Sequence, residues 1–105
     1  MVFPLVLKKT LQLFKNGLNI KEIAERRNIK ESTVWQHFAK LIECNQLPVW
    51  KVLPKDKILM ISKNIYDKSD RLKDIKQRIN DNSITFDDIA CVLAFVKNSN
   101  IRKLK

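Results

Sequence analysis

One glycine and three prolines in 105 residues leave few places for tight turns. Folds made of many short strands need turn residues at short intervals, so this shortage argues against them. A single glycine also rules out a Gly-rich phosphate loop. Histidine occurs once, at His37, so no His-based metal cluster can form. No metal or cofactor is expected. The two cysteines, Cys44 and Cys91, have no CxxC spacing, and each sits in an apolar helical pattern. Two buried free thiols and a reducing, intracellular setting are therefore expected, cytoplasm or nucleoid in a bacterium and nucleus in a eukaryote. The apolar residues 2–7 are too short to span a membrane and have neither a preceding basic region nor a small-residue cleavage site. Neither membrane insertion nor a signal peptide is expected. Met1 suits a native start and the start of a fragment equally.

Catalytic groupings are equally scarce. Asp87 and Asp88 are adjacent, and adjacent helical residues point apart. Their place in the first turn of a helix is explained by the helix dipole. Nothing here suggests an enzyme acting by itself.

What the chain has in quantity is apolar residues and positive charge. Hydrophobic residues make up 45%, enough for a core rather than a disordered tail. The net charge is +10, from 21 basic and 11 acidic residues. Such a balance favours polyanionic partners. The excess is split evenly between residues 1–53 and 54–105, and most of it is lysine in a chain also rich in Ile and Asn, as an AT-rich genome would give.

Periodicity predicts helices throughout. The first runs from Pro4 to Asn16 on Leu7, Leu11 and Phe14, and Gly17 ends it in a left-handed conformation. Asn19, with Glu22 three residues on, forms a capping box for a second helix over Ile20–Arg27. Asn28 makes the next left-handed turn. A third helix runs from Glu31 to Cys44, burying Val34, Phe38, Leu41 and Ile42. Residues 49–53 read as an extended connection packed on the core. Helices follow over Asp56–Tyr66 and Ser69–Asn80, then a turn at Asp81-Asn82. Thr85 and Asp88 predict a second capping box, flanked by an Ile84–Ile89 hydrophobic staple, for a helix reaching about Asn98. Residues 99–105 read as a basic, frayed tail.

The run Gly17–Ile42 has the pattern of a helix-turn-helix: two short helices, small Ala24 where the second passes close, and a sharp turn at Asn28. That arrangement leaves the second helix free to enter a major groove. Ser32 and Thr33 at its start suit a phosphate. Trp35, Gln36 and Lys40 are expected to face away from the apolar side, and Gln36 suits bidentate pairing with adenine. Lys21, Arg26, Arg27, Lys30 and Lys40 are candidate phosphate contacts. Trp35 has three readings: a wedge against a sugar, a protein anchor, or a ring folded over the core. His37 suits a hydrogen bond or a packing role.

The stretch Thr10–Ile42 resembles the helix-turn-helix domain at the C-terminus of RecQ-type DNA helicases, Werner-type included. Leu13-Phe14 with Gly17-Leu18, Ile20 with Ile23-Ala24 and Arg27, and Ser32-Thr33 with His37, Leu41 and Ile42 carry the likeness. Arg71–Lys76 and Ile84–Ile89 extend it over nearly the whole chain. The resemblance implies an accessory domain that helps a helicase engage DNA or partners, with the ATPase motor elsewhere. Asn28 stands where glycine is frequent, and Phe38 replaces the commoner leucine. Gly17–Ile42 also resembles response-regulator-type transcription factor domains, although those end about one helix later.

The expectation is therefore an all-α single domain, residues 1–105, of about six helices: a helix-turn-helix core over 1–48, a helical extension over 49–98, and the tail. Three functions suit it. They are a DNA-binding accessory domain of a RecQ-type helicase on double-stranded DNA, a module recruiting a repair or replication protein, and a stand-alone transcriptional regulator.

Overall fold

Asparagine supplies most of the chain's helix stops. In the computed structural model, which describes residues 4–98, left-handed backbone occurs at Gly17 (φ 99°), Asn28 (φ 57°), Asn45 (φ 62°) and Asn80 (φ 52°). Gly17, Asn28 and Asn45 each follow a helix in the same way. The Leu18, Ile29 and Gln46 N–H groups donate back to the Leu13, Ala24 and Leu41 carbonyls at 3.2, 2.9 and 2.8 Å. The residue before each closes a second bond, to Phe14, Glu25 and Ile42. This double closure satisfies carbonyls that a helix end would otherwise leave bare.

Six α-helices and one 3₁₀ turn result, with no strand among the described residues: α1 (Leu5–Lys15), α2 (Ile20–Arg27), α3 (Glu31–Glu43), the 3₁₀ turn (Val49–Lys51), α4 (Lys55–Lys63), α5 (Leu72–Ile79) and α6 (Phe86–Asn98). The all-α class and helix number match the sequence reading. Pro4 and Asn16 flank α1 as its caps. The expected capping box of α2 is complete, with Glu22 N–H to Asn19 Oδ1 at 2.8 Å and Asn19 N–H to Glu22 Oε1 at 2.9 Å. The second box is also closed, Asp88 N–H to Thr85 Oγ1 at 3.0 Å and Thr85 N–H to Asp88 Oδ2 at 3.1 Å. Lys57 pairs with the buried Asp88 carboxylate at 3.1 Å, so α4 is tied to the start of α6. Ile84 and Ile89 are both buried beside that start, as the staple requires.

Packing centres on α6. Its most extensive contact is with α3, and α4, α5 and the 3₁₀ turn also pack on it. On its other side α3 meets α1 and α2. Ile23, Val34, Phe38, Leu41, Ile61, Ile75, Ile89 and Val92 are among the side chains of the one core cluster, which draws on every helix.

Four expectations need correction. Residues 49–53 are not extended. With no strand alongside to take their N–H groups, they coil so that Lys51, Val52 and Leu53 donate to the Pro48 and Val49 carbonyls, which buries Val49 and Leu53. The fourth helix stops at Lys63, short of Tyr66. Ser62 Oγ and Asn64 Nδ2 bond back to the Ile58 and Met60 carbonyls, the kind of local competition that ends helices. The fifth helix starts at Leu72 and not at Ser69. The Asp70 carboxylate instead collects the Tyr66 and Asp67 N–H groups and Arg78, and Asp67 holds Ser69, fixing a loop. Cys44 lies exposed in the cap position of α3, while Cys91 is buried as expected. The expected frayed tail, 99–105, lies outside the described residues.

Candidate nucleic-acid interface

The third helix divides cleanly into two faces. Val34, Phe38, Leu41 and Ile42 are buried, and Ser32, Gln36, Lys40 and Glu43 are exposed on the opposite side. Behind the turn, Ile23 and Ala24 are buried beneath α3, with Ile20 and Ile29 half-buried at the edges. No side chain caps the N-terminus of α3, in contrast to α2. The Thr33 and Val34 N–H groups turn back to the Lys30 carbonyl, while the start of the helix faces outward beside the Ser32 hydroxyl. Such an uncapped, positively polarised end suits an anion.

The candidate contacts separate into exposed and committed residues. Lys21, Arg26, Lys30, Ser32, Gln36 and Lys40 are exposed, and Thr33 is half-buried. Lys40 stands 4.0 Å from Glu43, an exposed pair of little energetic weight. Arg27 is not a free cation. Its Nη1 donates to Val6 O at 3.1 Å and to Thr10 Oγ1 at 2.8 Å, pinning α2 to α1. The expectation that Trp35 faces away from the apolar side is corrected. The ring is half-buried against the core and meets Phe38 edge to face, with centroids 6.2 Å apart. At its position on α3 it borders the buried stripe, so the large ring gains more by covering Phe38 than by standing in water.

The fully buried Thr10 links the three helices. Its oxygen accepts from Arg27 and lies 2.7 Å from His37 Nδ1, to which the hydroxyl donates when the imidazole carries its proton on Nε2. A histidine that accepts at Nδ1 is neutral and carries its proton on Nε2. Burial, and then the Arg27 charge, lower the His37 pKa from its ordinary 6.5. This chain holds α3 in place from behind.

The exposed face of α3 also forms one wall of a groove. Gln36, Lys40 and Glu43 face Leu93 and Lys97 of α6 across a cleft of about 280 Å³. Lys97 is a cation that the sequence reading did not place here. No local pattern could have shown it, because the α3–α6 packing joins residues far apart in the chain. No group of three metal-binding side chains occurs among the described residues. None of the helices among the described residues is long and apolar enough to cross a membrane.

A family model described as a helix-turn-helix domain matches residues 6–93. No curated protein and no solved structure matches the chain.

Proposed function

The chain belongs to the helix-turn-helix domain family, and on that premise we propose that it is a non-catalytic domain that binds double-stranded DNA with α3 in the major groove. The observation that carries this reading is the exposed polar stripe Ser32, Gln36 and Lys40 on a helix whose opposite side is packed in the core. Ser32 and Thr33 meet a phosphate at the uncapped start of α3, and Gln36 lies a turn further in, at base-edge depth. Lys21, Arg26, Lys30 and Lys40 supply backbone charge. Arg27 and Trp35 serve by positioning α3 rather than by touching DNA. The shared core supports reading the described residues, 4–98, as one domain. The finer reading, an accessory domain of a RecQ-type helicase, is supported by the run of motifs from Leu13-Phe14 to Leu41-Ile42.

Fluorescence anisotropy with a labelled duplex tests this at several salt concentrations. With about four phosphates neutralised, the log–log slope should be roughly −3 to −4. Lys40→Gln should make the slope shallower by about one, whereas Gln36→Ala should leave the slope unchanged and weaken any sequence preference. Absence of binding at low salt, or a flat salt response, refutes the proposal. A strong preference for one duplex sequence would favour a transcriptional regulator over a helicase module.

A further inference from the structure

Trp50 is the most conspicuous residue that the α3 reading leaves unused. The residue is 63% exposed. It is not loose. Pro48 and the 3₁₀ turn set its backbone, and Phe95 braces the ring edge to face at 6.4 Å and 82°. A cleft of about 260 Å³ opens beside it, lined by Pro48, Phe95 and the side-chain amides of Asn45, Gln46 and Asn98. Among the described residues those amides make few bonds. Asn98 reaches Asn45 at 3.4 Å and Gln46 reaches the Cys44 carbonyl at 3.5 Å, both at the outer limit of a hydrogen bond. Each amide carries two donors and a two-site acceptor, so most of this capacity is open.

We propose that this cleft binds an unpaired base of single-stranded nucleic acid, stacked on Trp50 and held at its edge by Asn45, Gln46 and Asn98. A braced, exposed aromatic face is what a base stacks on, and amides read base edges through paired donors and acceptors. Charge favours this occupant over a protein segment. No acidic residue lines the cleft, and exposed Lys51 follows Trp50 directly. The proposal is independent of the α3 reading.

The test titrates labelled oligothymidylate with the full chain and with Trp50→Ala, Trp50→Phe and Asn98→Ala, each checked by far-ultraviolet circular dichroism. Because Trp50 is largely exposed, its variants should keep the fold. Wild type should bind with quenching of tryptophan fluorescence. Trp50→Ala should bind roughly 5- to 150-fold more weakly, the range found for loss of one stacked base. Trp50→Phe should recover part of the loss. Duplex affinity should be the same in all four proteins. Failure of oligothymidylate to bind, or equal binding by wild type and Trp50→Ala, overturns the proposal. So does a Trp50→Ala effect confined to self-association or to capture of a protein. Loss of duplex binding alone would instead count against α3.

Discussion

Replacing Thr10 with valine removes one hydroxyl and keeps the β-branched shape, so it isolates the polar link behind α3. Thr10 is fully buried, with Arg27 2.8 Å and His37 2.7 Å from its oxygen. Losing a hydrogen bond from a charged donor costs about 1.5–3 kcal/mol, and losing a neutral one about 0.5–1.5 kcal/mol. The added buried methyl returns about 0.8 kcal/mol. Arg27 keeps its bond to the Val6 carbonyl and is only half-buried, which places its loss at the low end. The net expectation is about 2 kcal/mol, or a fall in Tm of roughly 8–16 °C for a domain of this size. Urea unfolding followed by circular dichroism at pH 7.5 measures it, with the midpoint lowered and m unchanged. Thr10→Ser, which keeps the hydroxyl, should lose much less. A Thr10→Val protein within about 0.5 kcal/mol of wild type, the range of an inconsequential surface change, would refute the argument that this chain of bonds holds the three helices.

The same link makes stability depend on pH. The folded state lowers the His37 pKa from 6.5 through burial and then Arg27, so it resists protonation more than the unfolded chain does. The His37 contribution is therefore complete above about pH 6.5 and is lost as pH falls toward and through the folded value; His37→Gln should flatten that part of the unfolding profile. Asn28 sits at φ 57°, so Asn28→Val should lose about 1–2 kcal/mol in thermal unfolding and Asn28→Gly almost nothing. Burial, with Asp88 and Asp87 nearby, pushes the Cys91 thiol up to about 12, while Cys44 is exposed. Mass spectrometry after iodoacetamide at pH 8 should find one alkylated residue, Cys44, in native protein and two after denaturation.

Local chemistry was legible in the sequence. Asn19 with Glu22 and Thr85 with Asp88 are four-residue patterns whose partners lie within reach in the chain, and Gly17 and Asn28 stand at gaps between periodic segments. Asn45 and Asn80 are left-handed too, but asparagine is less distinctive than glycine as a left-handed residue. The helices predicted over Asp56–Tyr66 and Ser69–Asn80 run into the loop over residues 66–71 from both sides because the apolar spacing continues through Leu72. What overrides that spacing is Asp70 meeting Arg78, eight residues away. The site was half legible. The exposed stripe Ser32, Gln36 and Lys40 follows from helical period alone. The engagement of Arg27 depends on Thr10 and Val6 in another helix, and Lys97 enters the groove through α6. Trp50 was placed in an extended connection, where nothing marked it as a cleft wall.

The position of α6 bears on how the two candidate surfaces relate. The Asn98 side chain reaches Asn45, so α3 and α6 bring their C-terminal ends together, and the Trp50 cleft lies at that shared end. The Ser32–Thr33 end of α3 is the opposite one. Thirteen residues of helix separate the ends of α3, about 20 Å at 1.5 Å per residue. A duplex seated on the start of α3 and an unpaired base on Trp50 therefore need not compete for the same atoms. If both readings hold, oligothymidylate should leave duplex affinity unchanged or raise it, and a duplex carrying a single-stranded arm should bind more tightly than either part by the logic of linked sites. Strict competition between the two probes, with Trp50→Ala relieving none of it, would mean that one surface serves both. In that case the groove shared by α3 and α6, where Lys40 and Lys97 face each other, is the surface that fits.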